Sequence, residues 1–175
     1  MTLTVETGTG SASSDALVSL AAATTYHAAQ GNALWAAGDD ADKETSIRRA
    51  TGVLNGYAWQ GYRVNGRDQS LAWPRYNVSD REGYSIPSNE VPQEIVDACC
   101  ELALRELVTP GTLTPDLIAG DSVKREKVGS LEVEYASPAM SLADARTQVS
   151  IVGPLIGQFL KHGSGSTLAG ASYRV

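Results

Sequence analysis

The residues that could do chemistry are few, and they do not converge on a catalytic motif. His27 and His162 are the only two histidines of the 175-residue chain. A Ser–His–Asp arrangement could be assembled from His27, Asp15 and one of many serines, but the Gly-x-Ser-x-Gly turn that exposes a catalytic serine is absent from the sequence. We therefore expect a protein that is not an enzyme.

Metal and nucleotide sites lack their characteristic spacing as well. The sequence has no set of four His and Cys ligands at zinc-finger spacing, no P-loop and no Gly-x-Gly-x-x-Gly motif, so no cofactor and no metal are expected. The two cysteines, Cys99 and Cys100, are adjacent. On a helix their side chains would point about 100° apart, which disfavours a bridge between them. We interpret them as small buried residues in a reducing compartment.

Arginines and aromatic residues alternate along one central stretch of the chain. They are Tyr62, Arg63, Arg67, Trp73, Arg75, Tyr76, Arg81 and Tyr84. Aromatic rings interleaved with cations can form a stacking surface for single-stranded nucleic acid. The same residues could instead anchor a long loop on the helices, with the arginines paired to Asp68, Asp80 and Glu82. We favour the second interpretation, because four arginines beside three acids leave little net field.

Helical periodicity predicts the elements that would hold this loop. Ser19 is a suitable N-cap for a helix over about 20–30, and Gly31 a suitable stop. Apolar residues at helical spacing predict further helices near 41–57 and 92–108, the last of which has a narrow polar stripe and should be central. Trp35 is expected in a short turn, and Lys43 on the solvent side of the helix near 41–57. A final helix is expected within 149–160.

The remaining segments predict a β-hairpin and irregular ends. Residues 58–90 form a long loop with two short strands, and 121–136 alternate as a hairpin of one basic and one acidic strand. We expect an arm at 1–15, a single helical domain at 16–161 and a flexible Gly/Ser-rich tail at 162–175. The predicted fold is mainly α: a small helical bundle with a projecting hairpin and flexible termini.

The charge of the chain argues against a dedicated nucleic-acid binder. The net charge is −6, and each half of the sequence carries seven basic and ten acidic residues. Without a basic half, we expect no meaningful binding of single-stranded DNA at physiological salt. No signal peptide and no 18-residue apolar run are visible, so we expect a cytoplasmic protein with no membrane partner.

The polar stripe of the central helix has two open interpretations. It comprises Glu94, Asp97, Glu101 and Arg105. The i,i+4 pair of Glu101 and Arg105 could simply stabilise a solvated face. The same stripe could equally contact a neighbouring subunit.

Short segments spread over roughly residues 15–135 together resemble the head–tail connector (neck adaptor) proteins of tailed bacteriophages, some of which are labelled DnaT-like single-stranded-DNA-binding. The segments are 17–20, 26–27, 31–35, 49–51, 57–61, 71–75, 80–83, 91–92 and 127–129. The resemblance implies a subunit of a dodecameric ring in the virion neck, assembled in the host cytoplasm. Its partners would be the portal protein and a tail or stopper/tail-terminator protein, and double-stranded DNA would pass through its channel without specific binding. The alternative function is that of a single-stranded-DNA-binding replication accessory protein.

Two further groups of residues are candidates for contacts. Trp73, Pro74 and Arg75 are expected to be a structural anchor of the long loop. The last three residues combine an aromatic, a cation and a β-branched residue, so they could contact the portal or a neighbouring subunit; they are Tyr173, Arg174 and Val175.

Overall fold

The computed structural model describes residues 2–114, 125–128, 131–134 and 149–161. The helices are α1 (Leu20–Ala29), α2 (Ala33–Ala37), α3 (Asp40–Asn55), α4 (Gln93–Val108) and α5 (Val152–Ile156), the last followed by a 3₁₀ turn (Gly157–Phe159). The prediction of a mainly α-helical protein is confirmed. None of the helices in the described ranges combines the length and apolar character needed to cross a membrane.

Two antiparallel strand pairs accompany the helices. β1 (Tyr62–Arg63) pairs with β2 (Arg75–Tyr76) inside the long loop, as predicted. β3 (Arg125–Val128) pairs with β4 (Leu131–Glu134), so the strands predicted within 121–136 form. Whether this second hairpin projects from the helices stays a prediction, and the predicted tail at 162–175 lies outside the described residues.

The helix boundaries follow from capping chemistry. The hydroxyl of Ser19 accepts a hydrogen bond from the backbone N–H of Ala22 at 3.1 Å and so caps α1 as predicted. Gly31, just beyond that helix, has φ +70°, a conformation that glycine adopts without strain. Asp40 and Asp42 lie in the first turn of α3, where carboxylates favour the helix dipole.

The core lies where α3 packs against α4. Ile47 and Leu54 of α3 and Ile95 and Leu102 of α4 are buried there. Cys99 is also buried and has a free thiol, and burial raises its pKa to about 12, so the thiol stays protonated at neutral pH. Burial of apolar faces on both helices, rather than helix propensity, stabilises this pair.

The structure differs from the helix predictions in three places. Lys43 was expected on the solvent side of α3 but is buried, with its ammonium 3.3 Å from the Asp40 carboxylate. Trp35, expected in a turn, lies in the short helix α2 and is buried. The last helix is shorter than 149–160, because Pro154 sits in the first turn of α5, where its missing N–H costs nothing, and the chain then tightens into the 3₁₀ turn.

The N-terminal segment is fastened by one buried carboxylate. Glu6 accepts hydrogen bonds from the backbone N–H groups of Gly8, Thr9, Gly10 and Ser11, at 2.8–3.0 Å. Burial by itself raises the pKa of this carboxyl, but the four backbone bonds together outweigh it, and the net pKa is lowered. The bound segment was predicted only as an arm or short edge strand.

His27 is a second buried titratable group. One ring nitrogen, Nε2, lies 3.2 Å from the carbonyl oxygen of Cys100, and the amide nitrogen of Asn32 lies 3.0 Å from Nδ1. The amide donates to Nδ1, so Nε2 carries the proton and donates to the carbonyl. Burial lowers the pKa of His27 and keeps the ring neutral. The ring also packs at 4.3 Å (centroid to centroid) from that of Trp35, so it is part of the core.

Replacing Glu6 by Gln should lower the free energy of unfolding by about 1–3 kcal/mol, because an amide cannot accept four backbone bonds as a carboxylate does. The contribution of Glu6 should be full at neutral pH and should be lost as the pH falls through its lowered pKa. Urea unfolding monitored by circular dichroism measures both effects. Glu82→Gln, at an exposed position, is the matched control, and equal stabilities of the two variants would contradict the role of Glu6.

Acidification should also act through His27. Because its folded pKa is lowered, the unfolded chain binds the proton first, and stability should fall as the pH drops below about 6.5. His27→Gln should be less stable at neutral pH yet lose less stability between about pH 7.5 and about pH 5.5, since no group titrates at that site. Urea unfolding at the two pH values measures the difference. An identical loss in the wild-type protein and the variant would show that His27 is not the titrating group.

Candidate nucleic-acid interface

The β1–β2 pair is made possible by a close backbone approach at Gly61. This residue has φ +58°, and a Cβ at its position would overlap the carbonyl oxygen of Tyr76. Only glycine fits there without displacing the opposite strand. The register then places Tyr62 opposite Tyr76 and Arg63 opposite Arg75.

Arg75 holds the hairpin together from one side. Its guanidinium donates to three backbone carbonyl oxygens, those of Gln60 at 2.6 Å, Gly61 at 2.8 Å and Ala72 at 3.0 Å. Burial, and then the nearby charge of Arg63, lower the pKa of Arg75. An arginine nevertheless remains protonated at neutral pH, so the residue keeps its positive charge while it fastens the loop.

A cluster of buried aromatic rings anchors the loop that carries the hairpin. Trp73 and Pro74 are fully buried, and the Trp73 ring lies 5.6 Å from that of Trp59 and 5.7 Å from that of Phe159 (centroid to centroid), both edge to face. Such edge-to-face contacts add to the free energy gained by burying the rings. Gln69, also buried, donates from its amide to the carbonyl oxygens of Leu71 and Pro74 at 2.9 and 3.0 Å.

Two tyrosines remain exposed on the hairpin. Tyr62 is 63% exposed and Tyr76 is 43% exposed. As cross-strand partners, their rings lie 5.5 Å apart (centroid to centroid) with an interplanar angle of 32°. This pair, which we call the tyrosine platform, presents aromatic surface to solvent. Its surface is suited to stacking with another planar group.

A groove of about 700 Å³ lies beside the tyrosine platform. Its charged lining residues are Arg63, Arg75 and Lys161, and no acidic residue is among the described residues that line it. Lys161 reaches the groove because its backbone N–H donates to the carbonyl oxygen of Ala58 at 2.8 Å. The groove therefore has a positive local field in a chain of negative net charge.

The ion pairs expected for the loop arginines do not form in the part of the chain that the structure describes. Arg63 donates to the carbonyl oxygen of Gln69 at 3.3 Å, and Arg75 donates only to carbonyl oxygens. The carboxylate of Asp80 instead accepts from the backbone N–H groups of Glu82 and Tyr84, at 2.9 and 2.8 Å. The positive charges are therefore not neutralised by these acids.

The other predicted contact residues lie elsewhere. On α4, Glu101 is buried, and its carboxylate accepts from the Tyr26 hydroxyl at 2.9 Å and from Arg105 at 2.7 Å. Glu94 lies within 3.3 Å of the Gln158 amide nitrogen, and Asp97 accepts from the Gln93 amide at 2.7 Å. The terminal residues Tyr173, Arg174 and Val175 lie outside the described residues. The subunit contact proposed for the α4 stripe stays a prediction.

Sequence reasoning identified part of this groove but not its whole lining. It named Tyr62, Arg63 and Arg75, but it missed Lys161, because nothing in the sequence signals that the chain returns to the hairpin there. The described residues contain no group of three or more His, Cys, Asp or Glu side chains suited to a metal ion.

Comparison with known protein families shows what the chain is similar to. The family described as "Putative DnaT-like ssDNA binding protein" matches residues 1–175. No curated protein and no solved structure matches the chain.

The match corrects the prediction made from short segments. The resemblance to phage head–tail connectors was wrong as a family assignment, because the matching family is a different one and no connector family is found. The predicted function as a connector subunit is overturned by the same match. So are the predicted partners, namely the portal protein, the tail or stopper protein and a dodecameric ring around double-stranded DNA. Each of the segments is only two to five residues long, whereas the family match covers the whole chain. The chain belongs to the DnaT-like single-stranded-DNA-binding protein family.

Proposed function

We propose that the protein binds single-stranded DNA, without catalysis, through the tyrosine platform and the adjacent groove. The observation that carries the proposal is the exposed Tyr62–Tyr76 pair beside a groove whose charged lining residues are all basic. The family to which the chain belongs is described as binding the same ligand, single-stranded DNA, which supports the proposal. This is the alternative function named from the sequence.

The two parts of the surface would contact different parts of a strand. Unpaired bases would stack on Tyr62 and Tyr76, and base–aromatic stacking contributes about 1–3 kcal/mol per base in such proteins. Phosphates would lie near Arg63 and Lys161, which form no ion pair with any residue that the structure describes. Arg75 would add its charge while its N–H groups stay bound to the loop.

A single strand suits this surface better than a duplex does. In a duplex the faces of the bases are already stacked on one another, so a tyrosine platform has no free base to contact. In a single strand every base offers a π-face, which makes stacking largely independent of sequence. The platform therefore favours unpaired over paired DNA.

The negative net charge does not prevent such binding. The expectation that single-stranded DNA would not bind rested on the net charge of −6 and on its even split between the two halves of the sequence. Charges are screened over about 8–10 Å at physiological ionic strength, so a strand in the groove responds mainly to the nearest side chains. The distant acids should instead keep affinity moderate and limit non-specific binding.

Removing one ring of the platform should weaken binding. We expect Tyr62→Ala and Tyr76→Ala each to raise the Kd for a labelled oligothymidine roughly 5- to 100-fold, the range that corresponds to the loss of one stacked base. Fluorescence anisotropy at low salt measures the Kd. Tyr84→Ala is the matched control, because Tyr84 is 69% exposed and does not line the groove. Unchanged binding by both platform variants would refute the proposal.

Phosphate contact should appear as a dependence on salt. Arg63→Ala should reduce the slope of log K against log salt by about 0.7, the value for one phosphate contact on a single strand. Arg81→Ala serves as the control, since Arg81 is exposed but lies outside the groove lining. The same titration with a duplex of equal length should show weaker binding. Tighter binding of the duplex would contradict stacking as the mode of recognition.

A further inference from the structure

Asn77 has an unusual backbone conformation for its residue type. Its φ is +57°, and among the residues that the structure describes it is the only one other than glycine in the left-handed region. Asparagine tolerates this conformation better than most residues, but a glycine would adopt it at lower cost. The backbone conformation at this position suits glycine best, yet the residue there is an asparagine.

That side chain lies at the proposed binding surface. Asn77 follows Tyr76 of the platform and lines the same groove as Arg63, Arg75 and Lys161. Its backbone carbonyl oxygen lies so close to Gly61 that a Cβ on that glycine would be only 2.7 Å away. This close packing fixes the position of Asn77 relative to β1. The amide has no hydrogen bond to any residue in the described ranges, whereas the amides of Asn55, Gln60 and Gln69 are all hydrogen-bonded to backbone groups.

We infer that Asn77 hydrogen-bonds the edge of a nucleobase, such as adenine, that is stacked on the tyrosine platform. The inference rests on the proposed function, because it assigns a base-contacting residue to that same groove. An unbonded amide placed next to a stacking surface offers a donor and an acceptor at the place where the edge of a stacked base would lie.

An asparagine amide can pair with any unpaired base that offers a donor beside an acceptor, and adenine is the base on which the contact is tested. The amide oxygen can accept from the exocyclic amine of adenine while the amide NH₂ donates to a ring nitrogen beside that amine, and asparagine contacts adenine in this bidentate manner. In a single strand, N1 and N7 are both accessible, so both edges of adenine present this donor–acceptor pair. The exocyclic amine is the atom whose removal tests the contact.

Asn77→Gly is the informative variant, because glycine suits the positive φ and removes only the side chain. The variant should fold at least as stably as the wild-type protein, which thermal denaturation checks. The matched control is Asn89→Gly, at an exposed asparagine outside the groove lining.

The probe is a short oligothymidine with one central adenine, compared with the same strand carrying unsubstituted purine, which lacks the exocyclic amine. Loss of the amine should weaken binding to the wild-type protein and to Asn89→Gly about fivefold, at the lower end of the discrimination expected of one bidentate contact. The same change should alter binding to Asn77→Gly by less than about twofold.

The outcomes separate this inference from the proposed function. An equal loss in the wild-type protein and Asn77→Gly would overturn the role of Asn77, and so would wild-type binding that is indifferent to the amine; in both cases DNA binding itself would stand. A wild-type protein that binds neither strand would overturn the proposed function and the inference with it.

Discussion

The β1–β2 hairpin depends on the guanidinium of Arg75. Strands of two residues cannot stabilise each other in water through their own ladder. Here the carbonyl oxygens of Gln60, Gly61 and Ala72 all accept from one planar cation, which joins the approach to β1 with the approach to β2. The five N–H donors of an arginine lie in a fixed fork, and a lysine could not satisfy three separate acceptors with the same geometry. The position of the tyrosine platform therefore depends on the hydrogen bonds of Arg75.

Side chain–backbone hydrogen bonds replace regular secondary structure throughout this region. Gln69 satisfies two loop carbonyls, Glu6 satisfies four N–H groups, and the amide of Asn65 donates to the carbonyls of Thr9 and Gly10 at 3.0 and 2.9 Å. A buried loop must pair its polar backbone groups in this way, since each unpaired group would cost free energy. The result is an irregular segment whose carbonyl groups are hydrogen-bonded to side chains and which carries an exposed pair of rings.

The sequence predicts the helices well, because capping and periodicity are local. Ser19 and the apolar spacing of α3 and α4 place three helices close to their observed bounds. The sequence predicts the burial of long polar side chains less well. Lys43 is buried, although its position on a helical wheel indicated exposure to solvent. The groove is still harder to predict, because its lining joins residues that are distant in the chain. Net charge is a poor guide to the groove for a related reason, since it averages over the whole sequence and does not show that Arg63, Arg75 and Lys161 line one groove.

Residues 159–161 pack against the loop that carries the hairpin, and this determines when during synthesis the groove can form. Gln60 donates from its backbone N–H to the carbonyl oxygen of Phe159 at 2.9 Å, and Lys161 bonds back to Ala58. Phe159 also completes the ring cluster on which Trp73 rests. A nascent chain in which residues up to about 110 have emerged from the ribosome contains both tyrosines. It still lacks Lys161, which lines one side of the groove, and Phe159, which supports Trp73. The complete surface can therefore form only after residues 157–161 have been synthesised and have docked.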